Sequence, residues 1–121
     1  MAVSGDKRTA TLTAHDDRGF LVAGPAMKHD LQRGTTEVHQ FGPGQMTLEP
    51  IFVQKAGAVA EDEGWIMRCV YDPERNLSDV VILDAQDFSG GQVARIHLPA
   101  RVPFGFHGAW VPEVDTASVI A

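Results

Sequence analysis

The sequence predicts an all-β protein in which antiparallel meanders form roughly one and a half to two blades of a β-propeller. Three observations lead to this fold class. Short apolar or alternating runs are separated every few residues by turns that draw on 12 glycines and 7 prolines. No segment carries the 3.6-residue apolar stripe of an amphipathic helix. Two parts of the chain also resemble each other at a constant spacing of 58 residues.

Each predicted strand is a short apolar or alternating run that ends at a turn signal. The turns are QRG, GPG, DEG, DPERN and SGG, whose glycine, proline, asparagine and aspartate residues favour reversal of the chain. Connections this short join antiparallel neighbours. The strands are expected at about 19–24, 26–31, 35–41, 49–55, 64–72, 77–85 and 93–98, and an eighth is expected to begin near residue 104.

The strand-forming part of the chain, residues 19–112, is the predicted blade region. Residues 1–18 are polar, with only weak strand character in TATLTA, and we expect them to be loosely ordered. Residues 113–121 are expected to form an exposed tail. The length of the chain is that of one ordinary domain or of a piece of a larger one.

Composition excludes several classes of protein. Ten basic against 16 acidic residues give a net charge of −6, which is the wrong sign for a nucleic-acid binder. The stretch MAVSGDKRT has no apolar core and no apolar run approaches the length of a membrane span, so we expect no secretory signal and no transmembrane segment. The single Cys69 excludes an intrachain disulfide, and we interpret it as a small buried hydrophobe in a cytoplasmic protein.

The internal similarity aligns VHQF (38–41) with IHLP (96–99), and EPIFV (49–53) with HGAWV (107–111), at the same spacing. A repeat built from a meander of about four strands is typical of propeller blades, although chance similarity between two hairpins is the alternative. Equivalent positions on successive innermost strands point toward the same central axis. Glu49 and His107 are equivalent in this repeat.

A carboxylate and an imidazole that meet at an axis are typical of a metal site or of acid–base chemistry. We therefore predict that a Glu49 oxygen lies within about 2.6–3.2 Å of a His107 ring nitrogen. Gly105 and Gly108 would let the backbone pass close to the axis. The plainer alternatives are a packed core histidine and a carboxylate at the start of a strand in solvent.

Five motifs occur together and in order: E-P-x-F-V, E-D-E-G-W, V-Y-D, V-x-x-L-D-A and P-F-G-F-H-G-x-W. In these motifs the chain strongly resembles the C-terminal part of the carotenoid cleavage oxygenases. This family is also called the retinal pigment epithelial membrane protein family and includes the lignostilbene dioxygenases. The resemblance covers the chain from about residue 19 to Pro112.

The resemblance implies a seven-bladed propeller with a non-haem Fe(II) on its axis, held by four histidines that glutamates orient. Members of the family use O2 to split a conjugated double bond in carotenoids, apocarotenoids or stilbenes. His107 matches the last ligand histidine and Glu49 matches an orienting glutamate. The other three ligands have no counterpart here, because the remaining histidines fall outside the ligand motifs: His15, His29, His39 and His97.

Two functions therefore follow. The first is the C-terminal fragment of an Fe(II)-dependent dioxygenase, with O2 and an apolar conjugated molecule as partners and with His107 and Glu49 as its only site residues here. We expect this chain alone to be inactive and not to retain iron. The alternative is a non-catalytic module that pairs through exposed blade edges. Self-association is expected on either reading, and the resemblance leaves peripheral membrane contact open.

The remaining conspicuous side chains are interpreted as structural. Aromatic residues on a strand are more often core than channel lining, so we predict that Phe104, Phe106 and Trp110 pack in the core. The acidic segment 61–63 is predicted to be a solvated hairpin tip and not a metal site. Trp65, directly after that turn, is expected to anchor the hairpin to its neighbour.

Overall fold

A computed structural model of the chain describes residues 2–3, 9–13, 25–103, 105 and 108–113. Within these ranges the chain forms nine strands and no helix, and every strand pair is antiparallel, which confirms the predicted all-β meander fold. The strands are β1 (Ala2–Val3), β2 (Thr9–Thr13), β3 (Ala26–Asp30), β4 (Thr35–His39), β5 (Met46–Thr47), β6 (Ile51–Gln54), β7 (Gly64–Asp72), β8 (Leu77–Asp84) and β9 (Ala94–His97).

The strands form two sheets of the same design. Sheet A has the order β1-β2-β3-β4, and sheet B has the order β5-β7-β8-β9, with β6 also paired to β7. In each sheet the chain enters at one edge and moves outward strand by strand. The entry strands β1 and β6 contact each other across the two sheets. The sheets therefore stack like neighbouring blades whose innermost strands lie side by side.

The long hairpin of β7 and β8 forms the centre of sheet B because its sequence alternates with the period of a strand. Along β7, Ile66, Arg68 and Val70 are buried, whereas the residues between them are only partly buried. Val81 and Leu83 of β8 face Arg68 and Ile66 across the ladder and are buried on the same side. This side of sheet B packs against sheet A.

The core lies between the two sheets. Among the described side chains of sheet A, Ala26 belongs to this core, and Phe88, in the turn after β8, is completely buried. Phe41 and Phe52 pack against the core from its margin. The buried apolar residues are Ala26, Ile66, Val70, Val81, Leu83, Ala85 and Phe88.

The predicted QRG turn is built by a side chain that bonds to the backbone. The Asp30 carboxylate accepts hydrogen bonds from the backbone N–H groups of Gln32 and Arg33, both at 3.0 Å, in the QRG turn. Gly34 closes that turn with a φ of 66°, which glycine adopts without strain. Gly64 is required for a different reason, because a Cβ there would lie 2.4 Å from the carbonyl oxygen of Val53.

Most predicted strands are confirmed to within a residue or two, and the exceptions are informative. The strand predicted at 49–55 begins only at Ile51, because Pro50 has no N–H to donate to the ladder. Of the predicted eighth strand, Gly105 and 108–111 are described, and these residues carry no strand pairing. The strand predicted at 19–24 lies outside the described residues.

The N-terminal segment 1–18 was expected to be loosely ordered, and its described residues are paired. β1 pairs with β2, and β2 pairs along its whole length with β3, from Thr9 opposite Asp30 to Thr13 opposite Ala26. The weak strand character of TATLTA therefore corresponds to a real strand. The predicted boundaries of the blade region and of the tail stay predictions.

Candidate functional site

Glu49 lies on the entry edge of sheet B, in a cavity of about 220 Å³ on the side that faces away from sheet A. The cavity is mainly apolar, and Glu49 is its one carboxylate among the described residues. Its lining consists of Leu48, Glu49, Ile51, Met67, Arg68, Cys69, Val80, Gly105 and Gly108. Two glycines from the segment after β9 thus meet β6 and β7 at the position of Glu49.

A bulge in the innermost strand places Glu49 in this cavity. Thr47 of β5 pairs with Val70, and Ile51 of β6 pairs with Met67. Three residues, 48–50, therefore face the two residues 68–69 of β7. One extra residue on one strand is the definition of a β-bulge, which interrupts pairing and changes the direction of a side chain.

Arg68 of β7 reaches the bulge from the neighbouring strand. Its Nε and Nη2 donate hydrogen bonds to the carbonyl oxygen of Leu48 at 3.0 and 2.7 Å, and Nη2 also donates to Thr47 Oγ1 at 2.8 Å. The side chain is 2% exposed, and this burial lowers the pKa of the guanidinium to about 10. Arg68 thus remains a cation at neutral pH, held by the backbone directly before Glu49.

The segment that carries His107 passes beside the same cavity. A Cβ on Gly108 would lie 3.2 Å from Ile51 Cδ1, so the backbone approaches β6 closely at this residue. No described atom lies within 4 Å of the corresponding position at Gly105. The predicted passage of the backbone close to the axis at these two glycines stays a prediction. His107 itself lies outside the described residues, so its predicted hydrogen bond with Glu49 stays a prediction.

The described residues do not by themselves make an iron site. Among them, no three histidine, cysteine, aspartate or glutamate side chains come together to hold a metal ion. The cavity offers one carboxylate, Glu49, and the half-buried thiol of Cys69, whose pKa is raised by burial. Iron bound in proteins needs several preorganised ligands, so these two groups do not suffice to retain it.

Three of the other histidines are described, and each has a separate environment. His29 places Nδ1 2.8 Å from Thr36 Oγ1 at the surface. His39 is buried in the core, with its ring centroid 5.0 Å from that of Phe41. His97 places Nδ1 2.9 Å from the buried carboxylate of Asp79. None of the three lines the cavity of Glu49.

Several structural interpretations of the sequence change in the folded chain. Trp110 is 52% exposed, so the prediction that it packs in the core is wrong. The described residues on either side of it, 108–113, follow the last strand and are not part of a sheet. Phe104 and Phe106 lie outside the described residues. Trp65 packs under Lys55 of its own hairpin, with Nζ 5.2 Å from the ring centroid. Cys69 lines a cavity and is only half-buried.

The acidic hairpin tip is also less solvated than predicted. Asp62 is partly buried and accepts a hydrogen bond at 2.8 Å from the ammonium of Lys28, which projects from sheet A. Burial alone would raise the pKa of Asp62, but the hydrogen bonds from Lys28 and Gln86 and the charge of Lys28 together lower it. Glu63 accepts hydrogen bonds from the backbone N–H groups of Val59 and Ala60 within its own turn. The tip therefore connects the two sheets.

Sequence reasoning missed the bulge, the arginine that holds it and the ionic cluster at Asp79. The sequence did contain a signal for each of them. Pro50 sits inside an otherwise continuous strand pattern, which argues for an interruption of the ladder. Arg68 and Asp79 occupy inward positions of alternating strands, where a charged side chain needs partners to be buried. Nothing in the sequence identified the carbonyl of Leu48 as the partner of Arg68.

The comparisons of this sequence with known proteins all lead to related proteins. The sequence profile of the retinal pigment epithelial membrane protein family matches residues 3–112. The apocarotenoid-15,15'-oxygenase of Synechocystis is 38% identical over 97 residues, which cover 80% of this chain and 20% of that protein. The 9-cis-epoxycarotenoid dioxygenase NCED6 of Arabidopsis thaliana is 44% identical over 86 residues, covering 71% and 14%. Isoeugenol monooxygenase of Pseudomonas nitroreducens is 40% identical over 84 residues, covering 69% and 18%.

Solved structures agree with the sequence comparison. A variant of the Synechocystis apocarotenoid oxygenase superimposes with a TM-score of 0.79 at 36% identity, covering 88% of this chain and 22% of that one. A cobalt-substituted form of the same oxygenase has a TM-score of 0.78. The two sheets are thus blades of a seven-bladed β-propeller. The chain spans about a fifth of the length of the relatives that it matches.

No helix in the described part of the chain is long and apolar enough to cross a membrane.

Proposed function

The chain belongs to the retinal pigment epithelial membrane protein family, and from this premise we propose that it is the C-terminal part of a non-haem Fe(II) dioxygenase. The substrate would be a conjugated carbon–carbon double bond in a carotenoid, apocarotenoid or stilbene-type molecule, which O2 cleaves. The relatives named above are enzymes that act on apocarotenoid, epoxycarotenoid and isoeugenol substrates. This breadth supports the reaction class more strongly than it supports any one substrate.

The main structural support for this proposal is one feature of the fold. Glu49 shares a cavity with Gly105 and Gly108, the described residues that flank the motif histidine. The internal repeat and the family motif point independently to the same two residues, Glu49 and His107. A shared cavity is the arrangement that both lines of reasoning require.

The proposed roles are limited to what this chain contains. His107 would supply one of the four imidazoles that hold the iron, and Glu49 would accept a hydrogen bond from the N–H of the other ring nitrogen and so fix the tautomer. The remaining ligands would come from the rest of the whole protein. The bound metal would supply the chemistry toward O2, and the apolar lining around Glu49, including Leu48, Ile51 and Val80, would exclude water beside it.

The whole protein provides the test. We expect His107→Ala to abolish oxygen-dependent cleavage of apocarotenoid and stilbene substrates and to lower the iron content measured by mass spectrometry. His29→Ala is the matched control, because His29 is bonded to Thr36 at the surface and lies away from the cavity. Full iron content and full turnover in the His107 variant would refute the proposed ligand. Equal losses in both variants would indicate general damage to the fold.

The isolated 121-residue chain should behave differently from the whole protein. With one ligand of four, we expect it to lose Fe(II) during desalting and to show no turnover. Stoichiometric iron after desalting would contradict this expectation.

We further propose that the isolated chain self-associates. The outer strands β4 and β9 leave one edge unpaired among the described residues, and Val38, Val93 and Ile96 are exposed beside these edges. A purely monomeric sedimentation profile at high concentration would argue against this.

Cytoplasmic location is a further proposal, resting on the single Cys69. Whether the whole protein touches a membrane would be read by co-sedimentation with lipid vesicles.

A further inference from the structure

The bulge that carries Glu49 is held by a buried side chain of the neighbouring strand. We propose that Arg68 is a positioning residue for Glu49: it clamps the backbone of the bulge so that the Glu49 carboxylate projects into the cavity beside Gly108. This inference rests on the proposed function of Glu49. It assigns a role in that site to a residue that lies outside the five motifs by which the family was recognised.

The clamp acts on the residue directly before Glu49. Both polar backbone groups of Leu48 are bonded to β7: its N–H donates to the carbonyl of Cys69 at 3.0 Å, and its carbonyl accepts two hydrogen bonds from Arg68. Thr47 is held by the same guanidinium. On the other side of Glu49, Pro50 restricts the backbone through its ring. Glu49 is therefore flanked by two restrained residues.

A side chain with several directed donors suits this task better than an apolar one. A bulge leaves a carbonyl without its ladder partner, and an unsatisfied buried carbonyl is costly. The planar guanidinium presents fixed donors and can bond one oxygen twice while it reaches a second acceptor. Its carbon Cζ lies 5.5 Å from the ring centroid of Phe41, which supports the group from the opposite side.

Stability alone does not account for an arginine at this position. Every second residue of β7 is buried against sheet A, and the neighbours of Arg68 in that row, Ile66 and Val70, are apolar. Replacing a buried charged group by an apolar side chain of similar volume is often neutral or stabilising. The bulge supplies a reason for a charged group here, because the guanidinium satisfies the Leu48 carbonyl where the ladder is interrupted.

The test compares three variants of this chain in the absence of metal. Arg68→Met removes the hydrogen bonds to Leu48 and Thr47 at similar volume. Arg68→Lys keeps one donor for the Leu48 carbonyl but not the planar fork. Val81→Ala is the matched control, because Val81 is fully buried on the same side and its ladder partners are Arg68 and Arg95, not residues of the bulge.

Two NMR measurements report on the bulge directly. The χ1 angle of Glu49 follows from three-bond couplings, and the exchange rate of the Leu48 amide is compared with that of Phe52 in the adjoining ladder. In Arg68→Met we expect Glu49 to average over several rotamers and Leu48 to exchange about tenfold faster relative to Phe52, because local opening would no longer need global unfolding. Arg68→Lys should be intermediate. Val81→Ala should accelerate both amides together and leave χ1 unchanged.

The outcomes separate the clamp from general stability. A single Glu49 rotamer and a protected Leu48 amide in a folded Arg68→Met variant would overturn the proposal. The same change of χ1 in Val81→Ala would also overturn it. Should Arg68→Met fail to fold, Arg68→Lys decides: a loosened Leu48 supports the clamp and an unchanged Leu48 refutes it. Iron content of the whole protein is measured separately, so failure of the metal site would not be confused with failure of the clamp.

Discussion

Sheets A and B have the same meander topology, yet they contribute different chemistry to the interface between them. Sheet B contributes mainly apolar side chains, with Leu83 and Phe88 completely or almost completely buried, together with the guanidinium of Arg68. The described side chains of sheet A contribute Ala26 and two polar groups, Lys28 and His39, that are less than a tenth exposed. An apolar surface accepts any well-packed neighbour, whereas a buried polar group needs a specific partner.

Because the buried polar groups of sheet A need specific partners on sheet B, they fix how one sheet lies on the other. Lys28 donates hydrogen bonds to the carbonyl oxygen of Ala85 at 2.5 Å and to Asp62 at 2.8 Å, and both acceptors belong to sheet B or its hairpin tip. The Asp79 cluster provides the contrast, because its partners Arg75, Arg95 and His97 all belong to the same sheet. One ionic network therefore joins the sheets, and the other stabilises a single sheet.

The largest loss of stability is expected for a substitution in the apolar core that the two sheets share. Phe88→Ala removes a fully buried ring from the interface and should lower the free energy of unfolding by about 3–5 kcal/mol. Urea denaturation followed by circular dichroism measures this loss. Phe41→Ala is the control, since Phe41 packs only at the margin of the core and should cost less. Equal losses in the two variants would contradict the distinction between centre and margin.

Asp79→Asn should rank second, because it removes the charge of a completely buried carboxylate that pairs with the partly exposed Arg75 and Arg95. The Arg95 Nε lies 2.5 Å from Asp79 Oδ2, and loss of a buried partner typically costs about 3 kcal/mol or more. Burial alone would raise the pKa of Asp79, but hydrogen bonds from His97, Arg75 and Arg95 outweigh it and lower the pKa to about 2.

The same carboxylate predicts an acid dependence. Its contribution to stability is fully present above the unfolded pKa of about 3.9 and is lost as the pH falls through the folded value. The Asn variant should therefore lose less stability than the native chain between pH 4 and about pH 2. Parallel acid-unfolding curves for the two proteins would contradict this.

Lys28→Met is the sharpest test of the comparison between sheets. Removal of the ammonium leaves the Ala85 carbonyl and Asp62 without this donor, at an expected cost of about 1–3 kcal/mol. Hydrogen exchange should accelerate more in β3 and β4 than in β7 and β8, because the lost bonds hold sheet A. Lys55→Met, which removes a partly exposed pair with Asp84, should cost about 0–1 kcal/mol. Equal acceleration in both sheets after Lys28→Met would count against the directional role of Lys28.

The smallest effect is the pH dependence of stability that comes from His39. Burial lowers the pKa of its imidazole more than the carbonyls of Phe88 and Gly90 raise it, and the cation of Arg68 lowers it further. The unfolded chain thus binds more protons between the folded pKa and about 6.5, and stability falls as the pH drops through this window. His39→Phe should remove that part of the pH profile measured by urea denaturation, whereas His29→Phe should retain it.

Much of the fold could be predicted because local patterns and turn chemistry agree. The alternation in GWIMRCVYD and the DPERN turn predicted β7, β8 and the reversal between them almost to the residue. Prediction was poorer where a strand depends on a distant partner. β2 has a weak pattern of its own and forms because β3 lies beside it, and the innermost strand breaks at Pro50. For the candidate site, the repeat identified Glu49, but not the bulge that aims it.

The amino-acid sequence by itself determined the strands, the turns, the family and the choice of Glu49 and His107, since each depends on residue type and spacing within a short stretch. Only the tertiary structure decided which polar groups meet. Arg68 and Leu48 are 20 positions apart, and Lys28 and Ala85 are 57 apart. Such contacts depend on the register of whole strands and on how one sheet lies over another, and a shift by one residue would send every side chain to the opposite face.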